Sequence, residues 1–144
     1  MTLFVRFLGW LNAIPKPDER SKAADPRFKR PEISRLDRMK RDKVPVAMPP
    51  NPAPAIIAHL MEVGLSEAAG MGLAPLSWAT IDAWQRVTGV ALPAWECRLL
   101  RHLSTEYLAE SRRAESENSP PPWRAEVTER EREVEQVRLE AVLG

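Results

Sequence analysis

The sequence predicts a mainly α-helical protein with a small three-helix core, a proline-rich basic arm before that core and a charged helix after it. Three observations support this fold class. The stretch 75–89 carries the signals for one complete helix, and two neighbouring stretches have apolar residues at helical spacing. Nine of the fourteen prolines fall between Pro15 and Pro54, which disfavours a continuous packed fold in that part of the chain.

The stretch 75–89 is the clearest helix signal in the chain. Ser77 is a preferred N-cap residue, because its hydroxyl can accept from the free N–H groups of the first turn. Gly89 stands where a chain leaving a helix favours a left-handed residue. Apolar residues recur every third position between these two marks and share one face, which predicts burial: Trp78, Ile81, Trp84 and Val87.

Two further helices complete the predicted core. The first runs from about Ala55 to Val63 and ends at Gly64. The other follows Pro93 and continues to about Arg112, with an apolar residue at every fourth position. The core and its partner surface are predicted to consist of Trp78, Ile81, Trp84, Trp95, Leu99 and Leu103.

The connection between the first two core helices is rich in glycine and alanine. Gly70 and Gly72 predict either a mobile loop or a tight turn that lets two helices approach. A phosphate-binding loop is disfavoured, because the Gly-Lys-Ser/Thr sequence and a preceding strand are both missing.

The remaining segments are predicted to lie outside the core. We divide the chain into an apolar segment 1–14, a basic proline-rich linker 15–53 with room for a short helix at 33–41, the core domain 54–112, a linker 113–123 and a charged helical tail 124–144. The two terminal segments carry apolar stripes that must be buried against another surface. We expect them to bind a partner through Leu3, Phe7, Trp10, Val127, Val134 and Val137.

Composition narrows the classes of function. The net charge of +1 hides an asymmetry, since 16–43 holds eleven basic against six acidic residues and 105–144 holds ten acidic against six basic. Cys97 is the only cysteine, which excludes an intrachain disulfide and fits a reducing cytoplasm. The apolar opening is too short to span a bilayer and has no export-signal pattern, so we expect a cytoplasmic protein without a membrane anchor.

The inventory of reactive side chains is small. His59, His102 and Cys97 are the only groups with near-neutral titration, and their positions predict no nucleophile pair and no zinc site. We therefore predict no catalytic, cofactor-binding or metal-binding residues, and no enzyme activity. Sequence-specific nucleic-acid binding is disfavoured, whereas non-specific contact between phosphates and the basic arm stays open.

Residues 51–112 resemble the C-terminal part of tail assembly chaperones encoded by long-tailed phages and prophages. The resemblance is carried by Pro75-Leu-Ser-Trp, Ala83-Trp84, Thr88-Gly89 and Trp95-Glu96 after a glycine-rich loop. Thr80 departs from it, standing where an acidic capping residue is usual, and residues 1–50 have no counterpart in it.

This resemblance implies a non-catalytic chaperone in the host cytoplasm. Its implied partners are the tape-measure protein, which it would coat, and the tail-tube protein, whose subunits it would help to assemble; self-association is a further expectation. Two alternatives stay open, a structural virion or adaptor protein and a small DNA-associated regulator that uses the basic arm.

Overall fold

A computed structural model describes residues 1–18, 20 and 32–144, and the protein is mainly helical, as predicted. Part of the predicted basic arm, including Arg27, Lys29 and Arg30, lies outside the described residues. In chain order the elements are α1 (Thr2–Asn12), α2 (Arg35–Arg41), α3 (Pro54–Val63), β1 (Glu67–Ala69), β2 (Gly72–Ala74), α4 (Trp78–Thr88), α5 (Ala94–Arg113) and α6 (Glu129–Leu143).

The signals that predict α4 act as expected. The Ser77 hydroxyl accepts from the backbone N–H of Thr80 at 3.2 Å, and Gly89 takes the left-handed conformation with φ 73°. The glycine-rich connection between α3 and α4 is a tight turn, an antiparallel hairpin that pairs Glu67 with Ala74 and Ala69 with Gly72. The hairpin contacts the start of α4 through Glu67 and contacts α5 through β2.

The core contains two of the predicted residues together with five others. Its fully or almost fully buried members are Val5, Ile57, Leu60, Leu76, Ile81, Leu100 and Leu103. Trp84 is also buried, and Leu99 is half-buried against the core.

The prediction of burial is wrong for three residues of the apolar stripes. Trp78 is 51%, Val87 86% and Trp95 56% exposed. Residues spaced by three turn back about 60° at each step around a helix of 3.6 residues per turn, so Trp78 and Val87, at the two ends of their stripe, face nearly opposite directions. Ile81 and Trp84, in the middle of the stripe, are the two that reach the core. Trp95 begins a stripe spaced by four, which turns forward by about 40° at each step, so Trp95 lies about 80° around α5 from the buried Leu103.

The first segment also differs from its prediction, because α1 is part of the body rather than a separate element. It packs along α5, where Val5 and Leu11 are buried. Gly9 permits this contact, since a Cβ built there would lie 2.7 Å from the backbone oxygen of Tyr107. The core is therefore larger than residues 54–112.

The predicted proline-rich linker is likewise tied to the body, through Arg35 at the start of α2. Its buried guanidinium donates to the carbonyl oxygens of Trp10 (3.2 Å), Ala114 (2.6 Å) and Ser116 (2.9 Å). These oxygens lie at or just beyond the C-terminal ends of α1 and α5, where helix dipoles favour a positive charge. Burial lowers the pKa of Arg35 from its ordinary value, but an arginine side chain stays charged in proteins.

Substituting Gly9 with alanine should destabilise the protein by about 1–2 kcal/mol. The added methyl group meets backbone rather than a flexible side chain, and the resulting shift outweighs the roughly 1 kcal/mol that alanine gains over glycine in a helix. Thermal unfolding measures the change. Arg6→Ala, which removes only an exposed ion pair from the same helix, is the control and should cost less. Equal melting temperatures for Gly9→Ala and the unsubstituted protein would contradict the close α1–α5 contact.

Arg35→Lys should cost about 1–3 kcal/mol although it keeps the charge. An ammonium group cannot reproduce the planar fork that reaches three carbonyl oxygens, so buried acceptors lose their donors. Denaturant unfolding gives the difference. Arg41→Lys on the same short helix should stay within about 0.5 kcal/mol of the original, because Arg41 is exposed.

Candidate protein-binding surface

The exposed apolar side chains of the helical body are candidates for a binding surface. Single exposed apolar residues are common on proteins, so the informative ones are those that are large and held in place. More than half of the side chain is exposed in Met61, Met71, Leu73, Trp78, Val87 and Trp95.

Trp78 is held in place without being buried. The guanidinium carbon of Arg101 on α5 lies 5.2 Å from the centre of the Trp78 ring, a cation–π contact worth about 0.5–1 kcal/mol at an exposed site. The contact fixes the ring against α5 while about half of Trp78 remains open to solvent.

The hairpin lies along the same face of α5 as Trp78. Arg112 donates to the carbonyl oxygen of Leu73 at 2.9 Å, and Arg101 and Arg112 are eleven residues apart, which returns to within about 20° on an α-helix. One face of α5 therefore contacts both the Trp78 ring and the backbone of Leu73. Met71 and Leu73 are exposed in the hairpin that adjoins this face. We call Met71, Leu73, Trp78 and Arg101 the Trp78 surface.

Trp95 does not belong to this surface. It precedes Arg101 by six residues on α5, which places it about 120° around the helix. Trp78 and Trp95 belong to one apolar set in the prediction from sequence, and the structure separates them onto different faces of the body.

Glu67 fixes the N-terminus of α4 from outside that helix. Its Oε2 accepts from the Ser77 N–H (3.0 Å), the Ser77 hydroxyl (3.2 Å) and the Thr80 hydroxyl (2.5 Å). These hydrogen bonds, led by the one from Thr80, lower the pKa of Glu67. Glu67 of β1 thus supplies the carboxylate that a capping box would have at position 80, and it ties the hairpin to the start of α4. In the sequence, the sole signal for this was the threonine at position 80, which leaves the α4 cap without an acid of its own.

Trp84 lies on the buried face of α4 and contacts His59 of α3. Their ring centres are 5.4 Å apart and their planes are tilted by 60°. Trp84 Nε1 and His59 Nδ1 are buried without a hydrogen-bond partner. Trp84 therefore serves the packing of α3 on α4, while Trp78 faces outward.

The predicted terminal binding residues have several different environments. Phe7 is buried and stacks on the half-buried Trp10 at 5.9 Å between ring centres, and it makes a T-shaped contact with Trp123 at 5.6 Å between ring centres. Leu3 is 40% exposed on α1. Val134 is half-buried, whereas Val127 and Val137 are exposed. Phe7 is thus largely used inside the protein, which the prediction of a free partner-binding segment did not foresee.

The reactive side chains are dispersed. Cys97 is half-buried with its Sγ 3.9 Å from the Leu92 carbonyl oxygen, and the exposed His102 lies 3.9 Å from Glu106. Among the residues that the structure describes, no three His, Cys, Asp or Glu side chains gather as they would around a metal ion. Within the same residues, every helix is too short or too polar to cross a membrane.

Comparison of the chain with protein-family models, curated proteins and solved structures finds no match.

Glu67→Gln should lower the melting temperature at neutral pH and reduce its dependence on acid. The depressed pKa of Glu67 means that its contribution is present above the ordinary value of 4.5 and disappears as the pH falls through the lower value of the folded state. The melting curves of Glu67→Gln and the original protein should therefore converge on acidification.

A second substitution tests whether the cap is the cause. Thr80→Glu added to Glu67→Gln restores a capping box within α4 and should recover most of the lost stability. Thr80→Glu alone places two carboxylates at one helix end and should destabilise the protein. The assignment fails if Thr80→Glu has the same effect in both backgrounds.

Proposed function

We propose that the chain is a non-catalytic protein-binding module, an assembly chaperone of the phage-tail type, and that it holds its client on the Trp78 surface. One observation carries this proposal: Trp78 is half exposed and yet fixed in position. Arg101 of α5 contacts its ring, and Glu67 caps the start of α4, the helix to which Trp78 belongs. Tryptophan is enriched among the residues that dominate binding energy at protein interfaces.

The resemblance to tail assembly chaperones supports this choice of surface. Most of the pattern at 75–89 has a use inside the fold, since Leu76, Ile81 and Trp84 are buried, Ser77 caps α4 and Gly89 ends it. Trp78 has no such use, because it lies outside the core. A large apolar side chain that the fold does not need is a candidate for a partner contact.

The proposed clients are the tape-measure protein and the tail-tube protein, which the resemblance implies. A long helical client would offer a seam of aliphatic side chains, and Trp78, Met71 and Leu73 match such a seam in chemistry. Arg101 and Arg112 on the same face of α5 would favour acidic residues beside the seam. The chaperone would act in the host cytoplasm, where tail proteins are made.

The DNA-associated alternative receives less support from the described part of the arm. Arg35 is buried against three carbonyl oxygens, and Arg41 pairs with Asp42 at 3.3 Å. The Arg35 side chain is therefore not available to a phosphate, and the charge of the exposed Arg41 is partly offset by its neighbour. A structural virion protein could use the same Trp78 surface, and mass spectrometry of finished particles distinguishes it from a chaperone, which would be missing from them.

Trp78→Ser should weaken binding of a tape-measure segment by about tenfold or more while the melting temperature changes little. The binding loss follows from removing an interface tryptophan, and the small thermal effect follows from its exposure. Titration calorimetry with overlapping tape-measure segments measures the affinity.

Trp95→Ser is the matched control, because Trp95 is equally exposed but lies on another face of α5. It should leave the affinity unchanged. Loss of binding in Trp95→Ser but not in Trp78→Ser would show that the client binds the Trp95 face rather than the Trp78 surface and would contradict the proposal. If every variant and the original chain fail to bind any segment of the tape-measure or tail-tube protein, the chaperone function is excluded.

A further inference from the structure

A cavity of about 470 Å³ lies between the body and α6. Its wall on the body side contains Phe7, Trp10, Met39, Val44 and Trp123. Its other wall is formed by α6 and the residues leading into it, with Val134 among them. We call this space the aromatic groove.

The helix that covers the groove is not built into the core. No residue of α6 is buried, although Val134 is half-buried over the groove. Its outward side chains include exposed aliphatic residues near the C-terminal end, namely Val137, Leu139, Val142 and Leu143. The burial that stabilises most protein helices is therefore small for α6.

The helix carries its own stabilising contacts. Thr128 and Glu131 form a reciprocal capping box, and Arg130 pairs with Glu133 one turn later at 3.0 Å. Gln136 donates to Glu140 at 3.0 Å further along. These contacts are internal to α6, so they persist if the helix moves away from the body as a unit.

Asp42 of the body accepts hydrogen bonds from two arginines of α6. Arg130 Nε donates to the backbone oxygen of Asp42 at 3.1 Å, and Arg138 donates to Asp42 Oδ2 at 2.5 Å. The two arginines are eight residues apart, about two turns of helix, so Asp42 fixes α6 along much of its length. Asp42 also pairs with Arg41 and follows α2 directly, which connects the anchor to Arg35.

We propose that α6 is a strap over the aromatic groove, latched by Asp42, that opens as a helix without unfolding the core. Both arginine side chains are about half exposed, so the latch is weak and is screened by salt. Opening would uncover the faces of Trp10 and Trp123 that line the groove. The proposal does not rest on the chaperone function, since it concerns a different face and a contact within one chain.

Hydrogen exchange of the full-length chain, followed by mass spectrometry, tests the latch. Asp42→Asn keeps the size of the side chain and the backbone acceptor but removes the charge that binds Arg138. A detached helix of 15 residues is only marginally stable in water even with its own capping contacts, so its amides exchange faster from the open state than from the latched one. Exchange of the α6 amides should accelerate by about two- to fivefold, while the amides of α1 and α5 keep their rates. Raising salt from about 0.01 M to about 1 M, which shortens the screening length from about 30 Å to about 3 Å, should accelerate α6 in the original chain and have little effect in Asp42→Asn.

Two further variants separate the latch from general effects on the helix. Arg132→Gln removes a charge from α6 without touching the Asp42 contacts and should leave the exchange rate unchanged. Arg138→Gln should act as Asp42→Asn does, and the double variant should be no faster than either single one, because both remove the same pair.

Other outcomes overturn the proposal. If Asp42→Asn leaves α6 exchange unchanged, apolar contacts rather than the latch hold the helix. If α6 and α5 accelerate together, the helix opens only when the core unfolds. If the α6 amides of the original chain exchange at the rate of an unstructured peptide, α6 does not act as a strap.

Discussion

The close approach of α1 to α5 at Gly9 is the contact on which the rest of the structure depends. With no Cβ at this position, the α1 backbone can lie against the Tyr107 carbonyl oxygen, and the Ser111 hydroxyl donates to the Gly9 oxygen at 3.4 Å. The approach places Val5 in the main core and brings the C-terminal ends of both helices to one place. A bulkier residue at position 9 would separate the helices and, with them, those ends.

The converging helix ends explain how a buried arginine is tolerated. Two sets of unpaired terminal carbonyls give a site of negative potential, and Arg35 fills it with three hydrogen bonds and a stacking contact 4.6 Å from the Trp10 ring. The three hydrogen bonds and the negative potential of the helix ends offset the desolvation of the charge. Because Arg35 begins α2, the same contact positions Asp42 at the other end of that short helix, and Asp42 in turn receives α6.

The sequence predicted those features whose cause is local. α4 needs only a cap, an apolar stripe and a terminal glycine, all within residues 77–89, and the structure has each of them. The role of α1 depends on what a missing Cβ allows a distant helix to do, and the role of Arg35 depends on two helix ends that meet only after folding. Neither cause leaves a periodic pattern. The division of the tryptophans between core and surface was mispredicted for a geometric reason, since a three-residue spacing drifts around a helix and cannot keep both Trp78 and Trp84 inward.

That drift separates a buried tryptophan from an exposed one. Trp84 faces His59 in the interior, whereas Trp78, six residues earlier, faces outward. An outward tryptophan that moved freely would lose side-chain entropy on binding, which weakens the affinity. The contact of Arg101 with the ring and the Glu67 cap at the start of α4 restrict Trp78, while about half of its surface stays open. A side chain that is already ordered but still exposed would lose less conformational entropy on binding than a freely rotating one. This distinguishes Trp78 from an exposed residue such as Val87, for which no such restraining contacts are seen among the described residues.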